Sequence, residues 1–265
     1  MAQPRILILR APGTNCDAEA AYAFQLVGGL VESLHVNALL DSPRQLSQYQ
    51  VICLPGGFSY GDDVAAGRIL GNQIRHHLAD CLQEFKAAGK LILGICNGFQ
   101  ILLKSGLLLP LEPDFTAPAT LAWNQSGKFE DRWVPLYTSG SKSIFFAGID
   151  SMYLPVAHAE GRFAPRTEQA LRDLARDGQL VLRYGARPVG DAPVTAVPSV
   201  PYPDNPNGSC GDVAGVCDAT GRVCGLMPHP ERHVDPTQHP RWTRRPPSEA
   251  EDGLRVFRNA VGYFA

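Results

Sequence analysis

Short apolar segments alternate with helical patterns through the first half of the chain. The segments 6–9, 51–54 and 91–95 are apolar at nearly every position, which is typical of strands buried on both faces of a parallel sheet. Two helices are predicted between them, over 18–27 and 63–88. In the second, apolar side chains recur every three or four residues and form one stripe. Its members are Leu70, Ile74, Leu78, Leu82 and Phe85.

This β-α-β alternation predicts an α/β fold with an open, mostly parallel sheet and helices on both faces. The second half is less regular. Two strands are expected within 119–137, with Trp123 and Trp133 as anchors. The remaining predicted elements are a helix at 168–176, a strand at 179–184, a hairpin formed by 213–217 and 222–227, and a helix at 249–264.

Two proline-rich stretches interrupt the pattern. Residues 187–206 contain six prolines and residues 233–247 contain four, so both are predicted to be extended surface loops. We find no internal repeat and no interdomain linker in the sequence. The simplest interpretation is a single domain spanning 1–265.

The composition argues against several classes of function. Hydrophobic residues make up 45% of the chain and charged residues 19%, and the formal net charge is -2. This near balance gives no electrostatic reason to expect nucleic acid or an acidic membrane as a partner. The sequence shows no signal peptide and no bilayer-spanning stretch, so a cytoplasmic location is expected.

The seven cysteines are scattered, odd in number and never spaced as C-x-x-C. That pattern argues against a disulfide framework and against a zinc site built from cysteine pairs. Most are expected to behave as small buried hydrophobic residues. Cys96 differs because it lies between Gly94 and Gly98, at a predicted turn from strand to helix.

A cysteine in this position is the sulfur counterpart of the G-x-S-x-G nucleophile elbow. Side chains in place of Gly94 or Gly98 would collide as the chain folds back. The following helix directs its positive N-terminal end at the sulfur, which favours a thiolate. The backbone N–H of Asn97 is a candidate oxyanion donor. A buried structural cysteine in an ordinary β-α turn is the alternative.

A second glycine-rich turn, 54–62, follows another predicted strand and makes Gly57 the candidate second oxyanion donor. The alternative is a plain glycine-rich β-α turn. The segment has neither G-x-G-x-x-G nor a P-loop ending, so a nucleotide phosphate loop is not expected. His229 and Glu231 follow the last predicted strand. In extended backbone they would share a face, which suits a general base and its orienting carboxylate. The spacing of His229 and His233 could suit a metal, but no cysteine pair completes such a site.

Together these motifs resemble class I glutamine amidotransferases, and in particular the glutaminase subunits of phosphoribosylformylglycinamidine synthase. The resemblance covers nearly the whole chain. It rests on residues 11–17 (APGTNCD), 55–62 (PGGFSYGD), 95–100 (ICNGFQ), 158–162 (HAEGR), 202–209 (YPDNPNGS) and 227–232 (MPHPER).

The resemblance implies a flavodoxin-like α/β fold and a residue-by-residue assignment of roles. It implies a triad of Cys96, His229 and Glu231, and places Gln100 near the substrate glutamine. A pocket wall or partner contact is implied for Asn124, Phe129 and Arg132. Glutamine and a synthetase subunit are the expected partners, together with a small accessory subunit. No metal or cofactor is expected in this chain, whereas ATP and Mg²⁺ are expected at the synthetase.

Three alternatives remain at this point: an amidotransferase serving another synthetase, a thiol hydrolase on a related fold, or a non-catalytic binding module.

Overall fold

A computed structural model describes residues 3–112, 116–139, 142–187, 198–244 and 252–265 of the chain. Its centre is a nine-stranded sheet with the order β2-β1-β3-β4-β11-β10-β9-β6-β7. A separate pair, β5 and β8, forms a small antiparallel sheet. The predicted α/β class is confirmed.

The first five strands of the sheet order are parallel to one another. They are β1 (Arg5–Arg10), β2 (Leu30–His35), β3 (Val51–Leu54), β4 (Leu91–Ile95) and β11 (Val223–Leu226). Every residue of β3, β4 and β11 is buried, as their apolar sequences predict for strands covered on both faces.

The other strands are antiparallel to their neighbours. They are β6 (Glu130–Thr138), β7 (Ser151–His158), β9 (Leu180–Tyr184) and β10 (Val213–Cys217), with β5 (Ala119–Trp123) and β8 (Glu160–Pro165) in the small sheet. The predicted hairpin is confirmed as the β10–β11 pair. Trp123 is predicted to anchor its strand, but 64% of its surface is exposed, so that prediction is wrong.

Seven α-helices are found within the described ranges. They are α1 (Asp17–Leu26), α2 (Val36–Asp41), α3 (Arg68–His77), α4 (Ala79–Ala87), α5 (Asn97–Ser105), α6 (Glu168–Arg176) and α7 (Leu254–Gly262). The single helix predicted over 63–88 is wrong. Non-helical backbone at Leu78 divides it into α3 and α4, and it begins only after the left-handed Gly67. The predicted apolar stripe is nevertheless buried throughout.

Two further elements differ from the sequence expectation. The edge strand β2 was not predicted, because its LVESLH sequence lacks the continuous apolar character of a central strand. The closing helix α7 begins later than the predicted 249, and residues 245–251 lie outside the described part of the chain.

The two predicted loop stretches are only partly described, since 188–197 and 245–247 are outside the described ranges. In the second stretch, short 3-10 helices form at Pro236–Gln238 and Trp242–Arg244. His233 and His239 are buried there and pack against Trp133. Across the part of the chain described here, no helix combines the length and the apolar character needed to cross a bilayer.

Candidate active site

The carboxyl ends of three adjacent parallel strands converge on one site. Ile95 of β4 is paired in register with Leu226 of β11, and Cys96 donates its backbone N–H to the carbonyl of Leu226 at 2.8 Å. On the other side of β4, Leu54 of β3 is paired with Gly94. The next residues of each chain segment therefore meet at one edge of the sheet, where α/β proteins commonly bind ligands.

Cys96 occupies a strained turn between β4 and α5. Its backbone φ is 51° and its ψ is -105°, a conformation that non-glycine residues rarely adopt. A Cβ added to Gly94 would lie 2.6 Å from the carbonyl oxygen of Gly98. One added to Gly98 would lie 1.9 Å from the carbonyl oxygen of Leu54. The predicted elbow is therefore present, and both flanking glycines are sterically required.

The Cys96 sulfur borders a cavity of about 240 Å³. This volume is below the roughly 300–1,000 Å³ of pockets for drug-sized ligands and suits a smaller molecule. Its lining residues are Gly57, Phe58, Gly61, Asp62, Ala66, Cys96, Gln100, Trp123, Ala157, His158, Ala159 and Glu160. Clefts of about 510 and 860 Å³ lie elsewhere, but neither is lined by Cys96 or His229.

His229 and Glu231 are joined by a short hydrogen bond. The distance from Nδ1 of His229 to Oε1 of Glu231 is 2.6 Å, and both side chains are almost fully buried. The extended backbone predicted for this pair is wrong. Glu231 lies in a 3-10 turn, Pro230–Arg232, and His229 precedes it with a φ of -104° and a ψ of 89°. The contact is therefore made through a turn rather than along one face of a strand.

The imidazole of His229 faces more than one anionic or potentially anionic group. Burial opposes protonation, but the Glu231 carboxylate, the Cys96 sulfur and the Cys16 sulfur together raise the pKa of His229 well above 6.5. Its Nε2 atom is buried and makes no hydrogen bond to a described residue. This arrangement favours an imidazolium that can donate a proton beside the Cys96 sulfur.

Of the two predicted oxyanion donors, Asn97 directly follows Cys96 and Gly57 lines the same cavity as Cys96. Asn97 is the first residue of α5, so its N–H has no acceptor within the helix. Gly57 has a φ of 143° and lines the cavity. A Cβ on Gly57 would lie 2.7 Å from the carbonyl oxygen of Gly13. The donor role of both residues remains a prediction.

The side chain of Asn97 has a second role that the sequence did not suggest. Its Oδ1 accepts the backbone N–H of Ser59 at 3.1 Å, and its Nδ2 donates to Asp62 at 3.1 Å. The same Nδ2 donates to Oε1 of Gln100 at 2.8 Å. Asn97 thus fastens the glycine-rich turn to the nucleophile elbow, which holds the two candidate oxyanion donors in a fixed relation.

Gln100 lines the cavity, but its side-chain polar atoms are already engaged by the protein. Its Nε2 donates to the carbonyl of Glu160, and its Oε1 accepts from Asn97. The Glu160 carboxylate pairs with Lys104 at 3.2 Å. Gln100 therefore connects α5 to the opposite wall of the cavity. Its direct contact with a substrate remains a prediction.

His158 and Glu160 of the HAEGR segment do not pair with each other. Glu160 pairs with Lys104 instead, while Nδ1 of His158 lies 3.1 Å from Oδ1 of Asn124. Asn124 donates through Nδ2 to two carbonyls, so its Oδ1 must accept and His158 carries its proton on Nδ1. Burial, aided by His229, lowers the pKa of His158 to about 3.

The other residues implied as wall or partner contacts lie further out. Half of the Phe129 surface is exposed. Arg132 pairs with Glu130 at 2.7 Å and stacks on Tyr202. The possible metal partner His233 lies 2.9 Å from the carbonyl of Tyr153 through its Nδ1 atom.

Cys16 is a site residue that the sequence reasoning did not assign. One ligand atom each from Cys16, His229 and Glu231 lies within 4.8 Å of the other two, and all three side chains are buried. These are donor types that zinc accepts. However, Arg232 already places a guanidinium nitrogen 3.2 Å from the Cys16 sulfur. The only earlier signal was the position of Cys16 within the APGTNCD motif.

A family model described as a CobB/CobQ-like glutamine amidotransferase domain matches residues 3–264. A curated relative, phosphoribosylformylglycinamidine synthase subunit PurQ of Dehalococcoides mccartyi, is 44% identical over 262 residues, covering 98% of each chain. The corresponding subunit of Methanococcus maripaludis is 38% identical over 98% of this chain and 97% of its own.

Among solved structures, PurLQS from Thermotoga maritima matches with a TM-score of 0.73 and 33% identity, covering 100% of both chains. The similarity to these relatives is therefore global in sequence and in structure, and includes every segment that forms the site.

Proposed function

The chain belongs to the CobB/CobQ-like glutamine amidotransferase family, among the phosphoribosylformylglycinamidine synthase subunits, and we propose that it hydrolyses glutamine for such a synthase. The reaction releases glutamate and ammonia. The observation that carries this proposal is a cysteine on a strained elbow at the edge of a small cavity, beside a buried His229–Glu231 pair. Another acceptor synthetase is disfavoured because the full-length relatives carry this synthase name.

The reaction begins when the Cys96 thiolate attacks the side-chain amide carbon of glutamine. The N–H groups of Gly57 and Asn97 stabilise the tetrahedral oxyanion, a contribution of roughly 3–4 kcal/mol per donor in comparable sites. The C–N bond breaks as His229 donates its proton to the leaving nitrogen. Ammonia departs and a glutamyl thioester remains on the sulfur.

The second half of the cycle returns the enzyme to its starting state. His229, now neutral, removes a proton from water as the water oxygen attacks the thioester carbon. The C–S bond then breaks, glutamate leaves, and the thiolate–imidazolium pair is restored. Glu231 holds the imidazole in one orientation and stabilises its charge throughout.

Ammonia must then reach the second reaction without becoming protonated in bulk water. We place that step in a synthetase subunit, which activates formylglycinamide ribonucleotide with ATP and Mg²⁺ to make formylglycinamidine ribonucleotide. A small accessory subunit completes the assembly. This chain's own site needs no metal or nucleotide for the steps above, and the complex operates in the cytoplasm. The exposed Phe58 and Trp123 at the cavity wall suit burial against a partner.

Reconstitution with the synthetase tests the assignment. Cys96→Ala should abolish glutamine-dependent synthesis while synthesis supplied with free ammonia continues, because the acceptor reaction lies in the partner. Cys81→Ser, at a half-buried position in α4, is the matched control and should retain both activities. Glutamine turnover by Cys96→Ala would contradict the nucleophile assignment.

A non-catalytic binding module is distinguished by covalent trapping. A glutamine-mimicking diazoketone should alkylate Cys96 stoichiometrically, and peptide mass spectrometry should locate the adduct. Bound but unmodified protein would contradict the proposed chemistry.

A further inference from the structure

The steps above use one sulfur at the active site, but the structure places two beside the same imidazole. Cys16 precedes α1 and is 1% exposed. It is not among the residues that line the cavity, and burial raises the pKa of its thiol. Cys16 is therefore poorly suited to attack a substrate, and its contacts indicate a different role.

The Cys16 sulfur and the His229 ring pack on the same glycine. A Cβ placed on Gly56 would lie 2.8 Å from Cε1 of His229 and 3.1 Å from Sγ of Cys16. The same point is 3.5 Å from Cβ of Cys96. Because Gly56 has no Cβ, Cys16 and Cys96 can both lie close to it together with the His229 ring.

The Cys16 sulfur is itself held by several polar groups. Its thiol donates to Oδ1 of Asn15 at 3.2 Å, and it accepts from Nη2 of Arg232 at 3.2 Å. The backbone N–H of Cys16 donates to the carbonyl of Gly56 at 3.2 Å. The sulfur therefore has little freedom to move away from the imidazole.

Arg232 extends these contacts to the segment that carries the base. It directly follows Glu231 in the chain, and its Nε lies 3.6 Å from the carboxylate of Glu19 in α1. The exposed pair with Glu19 contributes little by itself. With the bond to Cys16, however, it fastens the 3-10 turn of Glu231 to the start of α1.

We propose that Cys16 is a positioning residue that, together with Arg232, holds the His229 imidazole against the Cys96 sulfur. The inference rests on the proposed thiolate mechanism for its kinetic consequence, but the contact itself can be measured without catalysis. A zinc site formed by Cys16, His229 and Glu231 is the competing role. It is disfavoured because all three groups are buried and a guanidinium already lies at the sulfur.

The charged and titratable groups around His229 determine what should be measured. They are Glu231, Cys96, Cys16 and His158, with Arg232 behind Cys16. Cys16 favours the imidazolium, so removing its sulfur should lower the pKa of His229. The alkaline limb of kcat/KM should then move to lower pH, because that limb reports loss of the required proton.

The direct experiment is a histidine-selective NMR titration of the full-length chain. In Cys16→Ala, the His229 resonance, assigned by its loss in His229→Gln, should titrate at lower pH than in the wild type. Cys16→Ser should recover part of the shift, because a hydroxyl can still bond both Asn15 and Arg232. Cys81→Ser should titrate like the wild type.

Kinetics of the assembled complex supply a second measurement. Cys16→Ala should lose roughly ten-fold in kcat with little change in KM for glutamine, because the imidazole is misplaced while the cavity wall is intact. Arg232→Gln should give a similar loss, and the double variant should lose no more than either alone, since the two residues act as one unit.

An unchanged His229 titration in both Cys16 variants would overturn the proposal. So would losses in Cys16→Ala and Arg232→Gln that multiply in the double variant. If Cys16→Ala does not fold, the NMR titration of His229 in Cys16→Ser tests the proposal instead. A purely structural role for Cys16 predicts that the pKa of His229 is unchanged in that variant. Failure of the glutaminase assignment would appear separately, as glutamine turnover by Cys96→Ala.

Discussion

Two cysteines each precede a helix at the end of a parallel strand, yet only one of them lines the cavity. Cys16 lies between β1 and α1 with a φ of -101°, whereas Cys96 lies between β4 and α5 with a φ of 51°. The positions two before and two after Cys96 are Gly94 and Gly98. The equivalent positions around Cys16 are Thr14 and Ala18.

This difference explains why the two sulfurs can act differently beside the same histidine. The relaxed connection at Cys16 tolerates side chains on both sides and leaves its sulfur buried. The strained connection at Cys96 requires glycines, and it lifts the sulfur to the cavity where a carbonyl can reach it. Backbone conformation, rather than residue type or helix position, thus separates the nucleophile from the supporting thiol.

The largest effect is expected from removing the nucleophile. Cys96→Ala should lower glutaminase kcat by roughly 10⁵-fold or more, as nucleophile removal does in triad enzymes. Glutamate release by the purified complex measures this directly. The ten-fold effect proposed for Cys16→Ala is far smaller, and equal losses in the two variants would erase the distinction between the cysteines.

The next effect concerns the backbone of the elbow. Gly98→Ala should destabilise the fold by about 3 kcal/mol or more, because its Cβ would overlap the Leu54 carbonyl. The matched control is Ala18→Gly in α1, which should cost only about 1 kcal/mol through helix propensity. Urea unfolding monitored by circular dichroism compares them. A well-tolerated Gly98→Ala would show that the elbow is not sterically required.

Chemical reactivity should separate the two sulfurs in the wild-type chain. Iodoacetamide at neutral pH should modify Cys96 faster than Cys16, because Cys96 borders the cavity and burial raises the pKa of the Cys16 thiol. Time-resolved peptide mapping gives both rates in one sample. Faster modification of Cys16 would reverse the assignment of roles.

The smallest effect is a pH dependence of stability. The pKa of His229 is raised in the fold, so its contribution is complete below the unfolded value near 6.5 and is lost as pH rises through the folded value. The stability of the wild type should therefore fall above pH 6.5, by at most about 1.4 kcal/mol per pH unit from this group.

Substitutions of the groups around His229 should show how much each one contributes to this pH dependence of stability. Burial opposes the raised pKa, and Glu231, then Cys96, then Cys16 support it. Glu231→Gln should flatten the slope most and Cys16→Ala least, as measured by unfolding between pH 6.5 and 8.5. A larger change for Cys16→Ala than for Cys96→Ala would contradict the order of the two sulfurs.

Sequence patterns were most reliable where the required information is local. The buried strands β3 and β4 follow from continuous apolar runs, and the elbow follows from glycines two residues either side of Cys96. The break at Leu78 was missed because the apolar stripe continues across both helices. The exposure of Trp123 was not predicted, because residue type alone does not show whether a side chain on a strand faces the core or the solvent.

The sequence by itself determined the fold class, the strained turn at Cys96 and the pairing of His229 with Glu231, because each depends on residues close in the chain. Tertiary structure decided that β11 lies beside β4, which brings His229 to Cys96 across 133 positions. It also decided that the Arg232 guanidinium contacts the Cys16 sulfur close to the imidazole. Such contacts depend on strand order and on packing over Gly56, and no local pattern of residues encodes either.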